Sequence, residues 1–386
     1  MNTSDINILE EFSSRFGNKG LMFKAPGRVN LIGEHTDYNN GFVLPGSIGK
    51  YITVVIKPNN LDKCRIYSLN YNEEFTFKPN EISKTFPHWA KYIAGVVIEL
   101  IKDGYSIKPF DAVFSGDIPL GAGLSSSAAL ESAFAFALNH INNLNIDRRD
   151  LALIGQRAEN IHAGVQCGIM DQFASLLGEE KTLIKLDCRS LEYEKVPFHP
   201  ENTIIILADT MVKHNLASSE YNIRRQQCNV GVQEIKKIYP NVESLRDAEL
   251  NMLKEVKPKL DNKVYNRCLY VIGEIDRLHK ACNALKVDDY ASFGQRMYET
   301  HNGLSKLYEV SCKELDLLVE ASTTVNGVFG ARMMGGGFGG CTINLVSKDK
   351  SDVFIEKVGE MFKCRFGKLP IFYMVEISKG AHIVNL

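Results

Sequence analysis

SGDIPLGAGLSSSAALESAFAFAL, residues 115–138, is the stretch from which the rest of the chain is read. Pro119, Gly121 and Gly123 make a tight loop, and Ser125, Ser126 and Ser127 lead straight into an alanine-rich helix. Glycine lets a backbone come close to a ligand, and a helix N-terminus presents free N–H groups and a positive dipole. Gly121, Ala122, Gly123, Leu124 and the three serines therefore form a candidate phosphate cradle, with hydroxyls able to bond phosphate oxygens or Mg²⁺. The plain alternative is a glycine turn with serine N-caps. Three small hydroxyl residues after two glycines, ahead of a small-residue helix, favour the cradle. It is not a Walker loop, since GxxxxGK[ST] is absent from the chain.

Strand-like segments lie at 51–57, 182–187, 203–209 and 341–346, all rich in β-branched residues. Helical spacing marks 126–141, 151–164, 218–238 and much of 244–322. Strands early, helices next and strands again at the end predict an α+β fold with mixed sheets packed by helices. The 386 residues suggest two domains, and VPFHPENT (196–203) suggests a boundary giving 1–198 and 199–386.

With 45 basic and 46 acidic residues the net charge is −1, which argues against nucleic acid as partner. The N-terminus MNTSDINILEEF is polar and acidic rather than signal-like, and no apolar run is long enough to span a membrane. Nine scattered cysteines without CxxC spacing argue against a disulfide framework or structural zinc. A cytoplasmic protein with reduced thiols is expected.

Three further segments carry chemistry. KAPGRVNLIGEHTDYNNGFVLP (24–45) crowds Arg28, Glu34, His35 and Asp37 into ten residues. It is either a solvated polar loop or a convergent site anchored by VNLI, suited to several sugar hydroxyls because carboxylates accept and imidazole also donates. In RAENIHAGVQCGIMDQFASLLG (157–178), Glu159 and His162 mimic a metal pair, but no second E-x-x-H unit supports a di-iron site. Asp171 in the same segment is left open between an N-cap and a functional acid. ARMMGGGFGGCTINLV (331–346) has Gly335, Gly337 and Gly340 in G-x-G-x-x-G spacing, yet it precedes a strand, so a dinucleotide fingerprint is rejected. A glycine turn against another backbone and a flexible flap both remain open.

Together these segments resemble the GHMP small-molecule kinase superfamily and, within it, the galactokinase family. GRVNLIGEHTDYN (27–39) is similar to that family's signature, PLGAGLSSSAALE (119–131) to the superfamily's ATP motif, and MMGGGFGGCTINLV (333–346) to its third motif. The order and spacing of the motifs also fit. The resemblance implies two α/β domains with the active site in the cleft between them. It implies phosphorylation of α-D-galactose at its anomeric hydroxyl by MgATP. Asp171 would then be the general base and Arg28 its partner, neutralising charge on the phosphoryl group. A carboxylate beside arginine stays ionised and is a weak base, so Asp171 is expected to orient the hydroxyl as much as deprotonate it. Glu34, His35, Thr36, Asp37 and Tyr221 would bind the sugar, Gly121 to Ser127 the ATP phosphates, Ser127 and Glu159 Mg²⁺, and Ser68 would lie on the nucleotide side. A monomer is expected. A kinase for N-acetylgalactosamine or L-arabinose is the alternative within the class. A non-catalytic sensor is the alternative outside it, disfavoured because Arg28, Asp171, Ser127 and Glu159 are all present.

Overall fold

In the computed structural model, KAPGRVN (24–30) is not loop but part of a strand, and Arg28 sits on it. The structure describes residues 3–385 apart from 18, 82, 84, 120, 199–200 and 213–216. The expected boundary between 198 and 199 thus falls at the edge of the described residues, and Leu120 of the glycine loop lies outside them.

In chain order the first half holds α1 (Thr3–Phe16), β1 (Leu21–Asn30), β2 (Phe42–Val43), β3 (Pro45–Pro58), β4 (Cys64–Ser68), β5 (Glu73–Phe77) and α2 (His88–Lys102). Then come β6 (Phe110–Gly116), α3 (Ser126–Ile141), α4 (Arg148–Arg157), α5 (Met170–Leu177), β7 (Thr182–Asp187) and β8 (Tyr193–Pro197). The second half runs β9 (Thr203–Asp209), α6 (Ala217–Lys236), α7 (Leu250–Val256), α8 (Asn262–Leu285), α9 (Tyr290–Lys306) and α10 (Lys313–Thr323). It ends with β10 (Val328–Met333), β11 (Cys341–Ser347), α11 (Ser351–Phe366), β12 (Ile371–Val375) and β13 (His382–Val384).

The first sheet has the order β13-β1-β3-β6-β4-β5 and is mixed, because β4 runs parallel to β6. The other two sheets, β10-β11-β9-β12 and β2-β7-β8, are antiparallel. The α+β expectation holds, with mixing confined to one sheet. The last strand, β13, returns to pair with β1, so the C-terminus is stitched into the sheet of the first half. One apolar cluster also runs from Phe23 and Val54 through Phe134 to Phe293 and Ile343, joining the halves through a shared core.

Local chemistry explains the placement of α3. Its buried face is mostly alanine (Ala128, Ala129, Ala133, Ala135, Ala137), so the helix comes close to β1 and β3 and aims its N-terminus at the cleft. The 244–322 stretch is broken into four helices, and Asp261 and Asp289 cap α8 and α9 by accepting backbone N–H groups. The glycine run 334–340 is the hairpin turn between β10 and β11. It is the packed turn rather than the flap: a Cβ on Gly337 would stand 2.1 Å from the Val310 carbonyl oxygen, and one on Gly339 2.3 Å from that of Val212. Among the described residues no helix is long and apolar enough to cross a membrane.

Candidate active site

Arg28, on β1, and Asp171, in the first turn of α5, are joined by a fork: Nε donates to Oδ1 at 2.7 Å and an Nη to Oδ2 at 2.8 Å. The third nitrogen of Arg28 donates to the Gly123 carbonyl at 2.6 Å, and the Arg28 N–H to that of Leu124 at 3.2 Å. One arginine therefore ties the acid to the glycine loop. Burial is the largest single influence and opposes its charge, but Asp171, joined by Glu34 and Asp37, raises the guanidinium pKa overall. Ser125 also donates its hydroxyl to Asp171 Oδ2. This residue has φ +58, a left-handed conformation, and its side chain makes no cap bond to the helix. The sequence assigned Ser125 to the phosphate cradle; the structure turns its hydroxyl to the acid instead.

The acid opens on a cavity of about 420 Å³ that Arg28, Glu34, His35, Asp37, Tyr221 and Glu159 also line. His35 has φ +61, and its Nδ1 lies 2.7 Å from the Tyr38 hydroxyl, while its buried Nε2 meets no hydrogen-bond partner among the described residues. Burial lowers its pKa to about 4, so the ring is neutral at physiological pH. Asp37 is raised to about 6, first by burial and further by the charges of Asp171 and Glu34. Thr36 does not face this cavity. It is fully buried, and its hydroxyl bridges the carbonyls of Gly33 and Phe42, closing the loop that carries its neighbours. Its contribution is to loop shape.

On the other side of the α3 N-terminus lies a second cavity, of about 370 Å³, walled by Trp89, Tyr92, Phe114 and Leu130, with Asn70, Tyr71 and Ser126 among its rim. Flat aromatic walls beside free N–H groups suit a planar base joined to phosphate. Ser127 lines this second cavity and donates to Glu159 Oε1 at 3.0 Å, while Glu159 lines the first. The two cavities therefore meet across one hydrogen bond. Gly121 and Gly123 expose their backbone at φ +81 and +75, while Ala122 and Leu124 are buried anchors. Ser68 is fully buried at the end of β4, accepts the Tyr71 N–H at 3.4 Å and is not part of the cavity wall. Its neighbours Asn70 and Tyr71 take that place.

Glu159 sits in a π-helical turn, 158–163, that widens the end of α4. Its pKa is raised by burial and then by the Asp171 charge. Its hydrogen-bond partners are Ser127, Cys167 and Gln172, with no cation among them. A buried carboxylate bonded to Ser127 at the candidate phosphate cradle fits a hard divalent ion, since Mg²⁺ takes only one or two protein oxygens alongside phosphates and water. His162, the apparent partner of Glu159 in sequence, instead lies 2.8 Å from Glu99 of α2.

Several contributors escaped the sequence reading. Gly168, three residues before Asp171, lies so close to Asp37 that a Cβ would be 1.9 Å from Oδ2. A glycine three residues ahead of the candidate acid Asp171 was the available signal. Gln172 donates to both Glu159 and Glu131, at 2.7 and 2.9 Å, and Glu131 is wholly buried with its pKa pushed well up by burial and then by the Glu159 charge. Nothing in the spacing of α3 and α5 announced that contact.

Comparison with known proteins matches three families along the chain: the galactokinase galactose-binding signature at residues 10–58, the GHMP kinases N terminal domain at 91–179, and the GHMP kinases C terminal domain at 279–364. A galactokinase of Thermosipho africanus is 43% identical over 361 residues, 93% of this chain and 99% of that protein. One from Clostridium perfringens is 41% identical over 385 residues, 97% and 99%. The crystal structure of Lactococcus lactis galactokinase complexed with galactose superposes with a TM-score of 0.94 at 34% identity, covering 98% of this chain and all of that one.

Proposed function

The chain belongs to the galactokinase family of the GHMP kinases, and from that premise we infer that it is an ATP-dependent sugar kinase that phosphorylates galactose. We propose that the acceptor is the C1 hydroxyl of α-D-galactose, giving galactose 1-phosphate and ADP. The observation that carries the reading is the meeting of the two cavities at Ser127 and Glu159, with Asp171 facing the sugar side.

In this reading Glu34, the free Nε2 of His35, Asp37 and Tyr221 hold the sugar. The aromatic cavity takes the adenine, and the glycine loop with Ser126 and Ser127 takes the phosphates. Arg28 and Ser125 occupy Asp171 from behind, fixing the plane of the carboxylate and leaving lone-pair capacity toward the cavity. Asp171 accepts the C1 O–H, holding that oxygen in line with the γ-phosphorus. As the new O–P bond forms and the bond to the ADP oxygen breaks, the hydroxyl proton passes to Asp171 and then to solvent. Arg28 keeps positive charge beside the equatorial oxygens, where phosphoryl transfer needs it. Glu159 and Ser127 would hold Mg²⁺, which when bound neutralises charge on the β- and γ-phosphates. We further propose two lobes, 1–198 and 199–386, a monomer, and a cytoplasmic location suited to nine free thiols.

The test is coupled ADP release with MgATP against D-galactose, N-acetylgalactosamine, L-arabinose, glucose and no sugar, with Asp171→Ala in parallel. Galactose-dependent turnover that vanishes in the variant is expected. Turnover on another sugar alone would overturn the reading of residues 34–37, and binding of galactose and ATP without turnover would overturn the enzyme.

A further inference from the structure

Arg332 is the second-last residue of β10, is wholly buried, and lies outside the wall of the sugar cavity. Its Nε donates to the Leu31 carbonyl at 2.8 Å, one Nη to that of Asn30, and the other to the Met333 carbonyl at 2.6 Å and to Glu34 Oε1 at 3.1 Å. Glu34 Oε1 also accepts the Gly335 N–H at 2.9 Å. One oxygen of Glu34 thus carries two donors from the second half of the chain. Among the described residues no hydrogen bond engages the other, Oε2, and Glu34 faces the cavity.

Two more braces reach the same loop from α8. Tyr270 donates to the Glu34 carbonyl at 3.1 Å, and the fully buried Glu274 accepts the Gly33 N–H at 2.9 Å. The recognition loop comes from the first half, where Thr36 closes it from within, but Glu34 itself is braced by side chains from the second. A carboxylate on a three-bond stem would otherwise turn freely and present either oxygen. Burying a guanidinium is costly, and a link that only joined two segments needs no charge. What this arginine adds is a fixed planar fork that saturates one chosen oxygen.

We propose that Arg332 is a positioning residue for sugar recognition: by holding Glu34 Oε1 against Gly335, it commits Oε2 to a single sugar hydroxyl. The proposal rests on the reading of the site as a galactose pocket, and the experiment separates the two. Steady-state kinetics would be measured for galactose and its 2-, 3-, 4- and 6-deoxy analogues with the parent, Glu34→Gln, Arg332→Lys and Tyr270→Phe. In the parent, loss of one particular hydroxyl costs most, and Glu34→Gln identifies it by erasing that difference. Arg332→Lys is expected to raise KM for galactose about tenfold, a lost charge-assisted bond's worth, with KM for ATP unchanged. It should erase discrimination at the same hydroxyl and no other. Tyr270→Phe, which deletes one oxygen, should act at that hydroxyl too, with a several-fold smaller change, and serves if Arg332→Lys does not fold.

An Arg332→Lys enzyme with normal KM and only a lowered melting temperature would overturn the proposal. So would uniform losses across all analogues. If the parent itself does not turn over galactose, the galactose reading fails instead, and deoxy analogues of the sugar it does accept decide the role of Arg332.

Discussion

The two ends of the active-site cleft are built by opposite means. The phosphate end, 121–127, consists of exposed glycine backbone, two buried anchors and short hydroxyl side chains, backed by another glycine turn. The Cβ position of Gly123 is 3.9 Å from the Met334 carbonyl oxygen, and that of Gly340 is 3.9 Å from the Gly121 carbonyl oxygen. The sugar end, 28–37, presents polar side chains on a loop held by Arg332, Glu274, Tyr270, Tyr38 and Tyr308, through its backbone as well as its side chains. The ligands account for the difference. A phosphate chain offers equivalent oxygens all round, and backbone N–H groups suffice for it. A sugar is distinguished by the direction of each hydroxyl, which takes side chains at fixed angles. Errors in positioning should therefore be costly at the sugar end, and deletion of single hydroxyls should be cheap at the nucleotide end.

The largest effect is expected where the two ends join. Asp171→Asn should lower turnover by about 10³ while galactose and ATP still bind, because the fork to Arg28 orients the nucleophile and its charge at once. Rapid-quench turnover and equilibrium binding on the same sample check this. Near-parent turnover would mean that the junction is not at Asp171.

Next comes Gly168→Ala, at a glycine in the wall of the sugar cavity. The added Cβ would displace the Asp37 carboxylate, an easy motion for the fold but a misplacement at the sugar. We expect kcat/KM for galactose to fall by about a hundredfold with KM for ATP unchanged. Equal losses for both substrates would break the division between the ends.

Asp37 also predicts a pH signature. Its folded pKa is raised from 3.8 to about 6, so between those values the folded chain keeps a proton that the unfolded chain releases. The ionised form is then disfavoured by folding: stability falls as pH rises through this window, and the penalty is complete above 6. Without sugar, Asp37→Asn should be more stable than the parent at pH 7 and equal to it below 3.8. If the carboxylate is what accepts sugar hydroxyls, galactose affinity in the parent should rise about tenfold from pH 5 to 7, following its ionised fraction. Asp37→Asn should abolish that slope. His35, lowered to about 4, stays neutral throughout and contributes none of it. Calorimetric titrations at pH 5, 6 and 7 on both proteins measure the slope directly.

What the sequence disclosed follows the same division. The glycine loop, the serines and the alanine helix were legible because backbone-built sites need special residues at fixed local spacing, and local spacing is what a sequence displays. Arg28, Glu34, His35, Asp37 and Asp171 were legible as unusual polar residues in apolar or glycine settings. The pairing of Arg28 with Asp171 came from the family resemblance and not from the local pattern, since the two are 143 positions apart and meet only through the packing of α5 on β1. The braces were invisible. Arg332, Glu274 and Tyr270 lie in ordinary strand and helix patterns, 298, 241 and 236 residues from their partners. The return of β13 to β1 was hidden for the same reason, a three-residue strand carrying too little periodicity to show its partner. Thr36 and Ser125 were placed in the right motif with the wrong orientation, because residues adjacent in a loop can point to opposite sides of it.

Ser68 gives the smallest effect and the clearest separation of the two ends. Family resemblance put it on the nucleotide side, and it does lie in the strand that leads to Asn70 and Tyr71 on the aromatic rim. Its hydroxyl, however, is spent within the protein, accepting the Tyr71 N–H where the chain turns from β4 toward β5. Ser68→Ala removes that acceptor from a fully buried position and should lower stability by about 1 kcal/mol. Because the half-exposed Tyr71 keeps its ring contact with Trp89 at 6.4 Å whether or not Ser68 bonds its N–H, KM for ATP should stay within about twofold of the parent, below the cost of a full hydrogen bond. Denaturant unfolding and ATP-dependent initial rates measure the two quantities independently. A normal stability with a tenfold rise in KM for ATP would return Ser68 to the nucleotide and show that the phosphate end, too, depends on a deep side chain.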